Sequence, residues 1–209
     1  MAELESPESA VTRPRPEHAV QLFDNPDSVA ETVATFVSSS LDSNATVLIL
    51  ISSENWRATA RNLGSREADR AIAHGRLTVL NAAVTLSGFM QGGGVRGDWF
   101  DRTVTPLVDR LAAQGRPLRI YGEMVDVLAA EGDFRSALQL ETLWNELALR
   151  THFTLLCGYS AVSFGDPRVA HALQRICRAH THVRTTPRDP LATFLLESSP
   201  RQVSPLVGN

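Results

Sequence analysis

Between His18 and Val183, short continuous apolar runs alternate with stretches in which apolar residues return every three or four positions. The first kind reads as strand and the second as helix, because side chains alternate faces along a strand and share a face at helical spacing. His18 to Phe23 is a short extended segment closed by the turn signal Asp24-Asn25-Pro26. Val29, Val33, Phe36, Val37 and Leu41 then line one face of a helix that Asp27 or Ser28 can cap. Val47 to Ile51 is apolar throughout, as expected of a central parallel strand covered on both faces. A helix over residues 54–63 follows, then a strand at Leu77 to Leu80 ending on Asn81, and a helix from Ala82 to Met90.

The same alternation continues downstream. Phe100, Val104, Leu107, Val108 and Leu111 form a helical stripe, and Pro106 within it predicts a kink or a restart with Thr105 as cap. Leu118 to Tyr121 is a strand ending at Gly122-Glu123. Two helices, 124–130 and 133–149, are split by Gly132, and Phe153 to Cys157 is the next strand. A last helix spans 166–179, with Val183 starting an edge strand. Strands alternating with helices of this length predict an α/β fold with a doubly wound, mostly parallel sheet flanked by helices. Residues 1–16, with three prolines, read as a flexible leader, 17–184 as one domain, and 185–209 as a Pro-rich tail in which Leu191 to Leu196 can form a short helix.

Composition narrows the chemistry. All 20 basic residues are arginine, so the chain has no lysine for a P-loop or a Schiff base. The net charge of −3, without a basic stripe, argues against direct nucleic-acid binding. Cys157 and Cys177 have no metal-ligand spacing, and of the six histidines only His180 and His182 are close. No metal or cofactor is expected, and His180 reads as a cationic helix end. The absence of an apolar signal segment or membrane-length run predicts a cytoplasmic protein.

Three local patterns resemble chemical motifs. Gly92-Gly-Gly-Val-Arg-Gly97 matches a dinucleotide fingerprint but follows a helix rather than a strand, and reads as a surface loop. The turn Ile51-Ser-Ser-Glu-Asn55 stands where a P-loop NTPase carries its cradle, yet contains neither glycine nor lysine. Gly158-Tyr-Ser160 lacks the second glycine of a nucleophile elbow, leaving a hydrolase using Ser160, a histidine and Glu123 as a minor alternative.

More promising are polar residues set among apolar ones. Glu123 follows a strand at the carboxyl edge, where open α/β sheets bind ligands. Leu140, Leu143, Trp144 and Leu147 make a helical stripe flanked by Glu141 and Asn145, four apart on one face. A ligand site is therefore expected at Ser52, Asn81, Glu123, Glu141, Trp144, Asn145 and Tyr159, set against a structural reading in which Glu123 and Glu141 cap helices or pair with arginine such as Arg119.

The segments beginning at His18, Val47, Gly75, Tyr121, Leu140 and Phe153, with the closing Cys177-Arg-Ala-His180, fall in the order and spacing of the MEDS sensory domains, which this chain resembles. That resemblance implies a fold similar to RecA/KaiC-type ATPases without a P-loop, and a non-enzymatic role in prokaryotic signal transduction directed at small hydrocarbon derivatives. It further implies a separate partner, such as a histidine-kinase-like or anti-sigma regulator, since no output module is evident within the chain. Asn81 stands where the family often has an acidic residue. A protein-interaction scaffold, including a homo-oligomer, is the principal alternative.

Overall fold

In the computed structural model, residues 17–184 are described; the leader, the tail and the helix expected at 191–196 lie outside them. Six strands form one parallel sheet: β1 (His18–Phe23), β2 (Thr46–Ile51), β3 (Leu77–Asn81), β6 (Leu118–Gly122), β7 (Thr154–Ser160) and β8 (His182–Arg184), in the order β3-β2-β6-β7-β1-β8. On one face lie α1 (Pro26–Asp42), α2 (Ser53–Leu63) and α3 (Ser65–Ala73). The other face carries α4 (Ala82–Ser87), α5 (Gly97–Thr103), α6 (Thr105–Ala112), α7 (Met124–Ala130), α8 (Phe134–Arg150) and α9 (Ala170–Ala179). The doubly wound α/β arrangement read from the sequence is thus the fold. Every residue of β2 is buried, which explains its unbroken apolar run: Val47, Ile49 and Ile51 pack under α1–α3, and Leu48 and Leu50 under the opposite layer.

Several local readings change. Asn25 caps α1, its side chain accepting from the Ser28 amide at 2.9 Å, because Pro26 starts the helix at a position where no amide is needed. The helix α3 was not foreseen; it buries only Ala68 and Ala71, too little apolar surface to mark a stripe. The helix expected to reach Met90 stops at Ser87. The glycine-rich loop is a tight antiparallel hairpin of β4 (Met90–Gln91) and β5 (Gly94–Val95). Gly92 and Gly93 turn it with φ of 62° and 76°, a backbone region that favours glycine. Pro106 does restart a helix, but Thr105 is its first residue and Val104 its cap position. The segment before α9 is two 3₁₀ turns, Ala161–Phe164 and Pro167–Val169. Val183 does join an edge strand.

One change bears on function. His18 to Phe23 is a full strand between β7 and β8, so the Ser52–Asn55 segment is the second strand-to-helix turn and Asp24-Asn25-Pro26 is the first. This turn also lacks glycine and lysine, so neither of the first two turns can cradle a triphosphate. Among the described residues no helix is long and apolar enough to cross a membrane.

Candidate functional site

At the carboxyl edge, Glu123 directly follows β6 and its backbone amide donates to the Leu50 carbonyl of β2 at 2.8 Å, drawing the side chain toward α2. Its Oε2 accepts from the Ser52 amide at 2.8 Å, and its Oε1 from Asn55 Nδ2 at 2.9 Å and the Tyr121 hydroxyl at 3.1 Å. Ser52 caps α2 by accepting from the Asn55 amide at 3.1 Å. A carboxylate of the protein therefore occupies the helix N-terminus, where the amides and helix dipole of related folds receive phosphate. No arginine is involved, and Glu123 caps α2 rather than its own helix, whose start has no side-chain cap. Burial raises the Glu123 carboxyl above its ordinary value, against the downward pull of the bonds from Ser52, Asn55 and Tyr121. Asp126 is also raised by burial, while its carboxylate accepts from the Ser160 amide at 2.7 Å.

These groups border a cleft of about 390 Å³ at the carboxyl ends of β1, β6 and β7. Phe23, Val29, Tyr121 and Val162 give it apolar walls; Asp24, Glu123 and Asp126 give it acidic ones; and Asn25, Asn55 and Ser160 add neutral polar groups. None of the described residues lining it is basic. The floor depends on Gly158, since a Cβ there would stand 2.5 Å from the Tyr121 hydroxyl and 3.0 Å from Phe23 Cε2.

The residues expected to form one patch divide between two places. Ser52 and Glu123 meet at the edge. Asn81 ends β3 beyond them, donating to Ser53 Oγ at 2.9 Å and capping α4 through the Val84 amide at 2.9 Å, outside the cleft. Trp144 belongs to the apolar core, edge-on to Phe100 and Phe153 at ring-centroid distances of 5.3 and 6.0 Å. Tyr159 borders the cleft, but its hydroxyl points inward to Glu141. Asp24, Asn25, Asn55 and Asp126 had not been singled out as cleft residues; the turn signal after the first strand was the available clue. Among the described residues no histidine is hydrogen-bonded to Ser160, and His18 and His180 are turned to Glu141.

Glu141, wholly buried on α8, is the centre of the second place. His18 Nε2 lies 3.2 Å from its Oε2 and His180 Nε2 3.3 Å from its Oε1. The Tyr159 hydroxyl donates to Oε1 at 2.8 Å, and Cys157 Sγ contacts Oε2 at 3.4 Å and His18 Nε2 at 3.3 Å. Register explains the encounter: β1 pairs with β7 so that Val20 lies beside Cys157 and His18 beside Leu155, placing His18 and Cys157 on one sheet face. Asn145, one helical turn beyond Glu141, faces His18 Nδ1 at 2.9 Å. The C-cap residue His180 is held by its Nδ1 on the Ile176 carbonyl at 2.7 Å, as a helix-end histidine should be. Burial by itself would raise Glu141; His180, when protonated, and the His18 hydrogen bond outweigh it and hold the carboxyl below the usual carboxylate range. Burial and the neighbouring Glu141 push the Cys157 thiol well up.

The family model of the MEthanogen/methylotroph, DcmR Sensory domain, MEDS, matches residues 17–181. No curated protein matches the chain.

Proposed function

The chain belongs to the MEDS family of sensory domains, and from that premise we propose that it is a non-enzymatic sensor whose edge cleft takes a small neutral or cationic organic molecule. The observation that carries this reading is the lining: three carboxylates, apolar walls and no basic residue, at the sheet edge where open α/β folds bind ligands. A phosphate would meet Glu123 already seated on the α2 terminus and two further acids beside it. An alcohol or amine instead finds acceptors in Glu123 and Asp126, and apolar contact with Phe23, Val29 and Tyr121. Ser52 and Asn55 position Glu123 rather than contact the ligand. Tyr159 connects the cleft to the interior, and the filled state passes to a separate signalling protein by contact rather than to nucleic acid.

Thermal shift with small alcohols, halocarbons, alkylamines, acyl compounds, inorganic phosphate and nucleotides tests the reading. A true ligand at about a hundred times its dissociation constant stabilises the fold by roughly 2.7 kcal/mol. The expected result is stabilisation by an alcohol or amine, lost in Asp126→Asn. Stabilisation by phosphate compounds alone would overturn the proposal, and an unchanged melting temperature with every class would favour an interaction scaffold.

A further inference from the structure

We propose that His18, Glu141, Cys157 and His180 form a closed four-ligand site for a transition metal of the zinc type, independent of the edge cleft. The four side chains come from β1, α8, β7 and the end of α9, all are buried, and one ligand atom from each lies within 4.8 Å of the others. Four of the separations, taken to one or the other Glu141 oxygen, run from 3.2 to 3.4 Å. Bonds of about 2.0–2.3 Å to a tetrahedral zinc imply ligand-to-ligand edges of roughly 3.3–3.8 Å, so a metal fits with small adjustments.

Proton placement points the same way. The Ile176 carbonyl can only accept, so His180 Nδ1 carries hydrogen and a neutral ring turns its Nε2 lone pair inward. Asn145 donates through Nδ2 to the Ala179 carbonyl at 3.0 Å, which leaves Oδ1 to accept from His18 Nδ1. His18 Nε2 therefore also faces inward as a lone pair. Such outer partners, fixing the ring and its tautomer, are those that metal-binding histidines use. His180 Nε2, though 3.3 Å from Glu141 Oε1, makes no hydrogen bond there or elsewhere among the described residues. With neutral rings, two imidazole nitrogens and two carboxylate oxygens converge on only two hydrogens, those of Tyr159 and Cys157. One cation at the centre satisfies all of them.

The donor set selects the ion. Two imidazoles, a thiolate and a carboxylate suit zinc or a similar transition ion, and not calcium or magnesium, which favour oxygen. On loading, the Cys157 thiol releases its proton to solvent as the metal–sulfur bond forms, and a divalent ion with one thiolate and one carboxylate leaves no net buried charge. Four protein ligands and no open position make the site structural. It would fasten β1 and β7 to α8 and the end of α9 on one face of the sheet. Catalysis by Cys157 is a poorer reading, because the thiol is buried and Glu141 contacts the same His18 nitrogen as the sulfur rather than the opposite one.

The test uses the full chain, refolded with zinc or cobalt(II) because the cluster is enclosed, followed by elemental analysis and absorption spectroscopy. One zinc per chain is expected, and with cobalt a thiolate-to-metal charge-transfer band together with the visible absorption of tetrahedral geometry. Cys157→Ser should lose the charge-transfer band, and Asn145→Ala, which keeps all four ligands, should bind zinc 10–100-fold more weakly. A wild-type chain that folds, takes up neither ion and shows no change in melting temperature with chelator would overturn the proposal, leaving the cluster a proton-bridged network.

Discussion

Glu123 and Glu141 are both carboxylates removed from water, 5% and 0% exposed, each with its oxygens engaged by groups from distant parts of the chain. Glu123 sits at the sheet edge and is met by neutral donors: an amide, a carboxamide and a phenol. Glu141 sits under α8 and is met by two imidazoles, a thiol and a phenol. Burial pushes both upward in pKa, yet Glu123 ends above its ordinary value and Glu141 below. Neutral dipoles soften the loss of hydration at Glu123, whereas imidazoles, which take up positive charge when protonated, reverse it at Glu141. A buried acid is therefore defined less by its depth than by whether its partners can carry charge.

Removing each carboxylate should separate the two most strongly. Glu141→Ala leaves two imidazoles and a thiol facing one another without access to water, and a broken buried charge network typically costs about 3–5 kcal/mol. Glu123→Ala frees the Ser52 amide and Asn55 at the border of an open cleft, where water can replace the carboxylate, so a loss of about 1–2 kcal/mol is expected. Urea unfolding of both variants measures the difference. Equal losses would show that the edge is as closed to water as the interior.

Gly158→Ala probes the edge alone, with a smaller effect than Glu141→Ala. The added methyl group would meet the Tyr121 hydroxyl and the Phe23 ring, so one of them must move. Overpacking of this kind costs about 1–3 kcal/mol. Displacing Tyr121 would also remove a hydrogen bond from Glu123 without touching Glu141. The expected signature is lower stability with the cluster intact, seen as an unchanged signal from the His180 imidazole in nuclear magnetic resonance. A shift of that signal would show that the two sites are mechanically joined through β7.

How far these two sites were legible follows from what each depends on. The place of Glu123 was readable because it comes from chain order, directly after a strand at the carboxyl edge of the sheet. The pairing of Glu141 with Asn145 was readable from their four-residue spacing, and both do serve one cluster. The rest of that cluster was hidden. His18 and His180 lie near opposite ends of the described chain, and Cys157 joins them only through the parallel pairing of β1 with β7. Local spacing carries no information about strand register, so His180 read as a helix end, which is true of its Nδ1 and silent about its Nε2. Trp144 shows the opposite failure: its place beside Glu141 in sequence suggested a shared pocket, but the helix turns it into the aromatic core. The strands were clearest where both faces are buried, as in β2, and α3 was missed because alanines alone hold it down.

The finest distinction between the acids lies in the dependence of stability on pH. Glu123 and Asp126 are both raised in the folded chain, chiefly by burial. Between the ordinary carboxylate values, about 4, and their raised ones, the folded state holds protons that the unfolded state has lost. Stability should accordingly fall as pH rises through that window and be regained on acidification. Glu141, ionised in both states above about pH 5, adds no slope there. Melting temperatures followed upward from the ordinary carboxylate range, about pH 4, should thus decline less steeply in Glu123→Gln and Asp126→Asn than in the wild type. The comparison is between slopes, because each amide also changes local hydrogen bonding at every pH. Identical slopes in all three proteins would mean that the edge acids ionise as freely as solvent-exposed ones, and that the cleft is wetter than its lining implies.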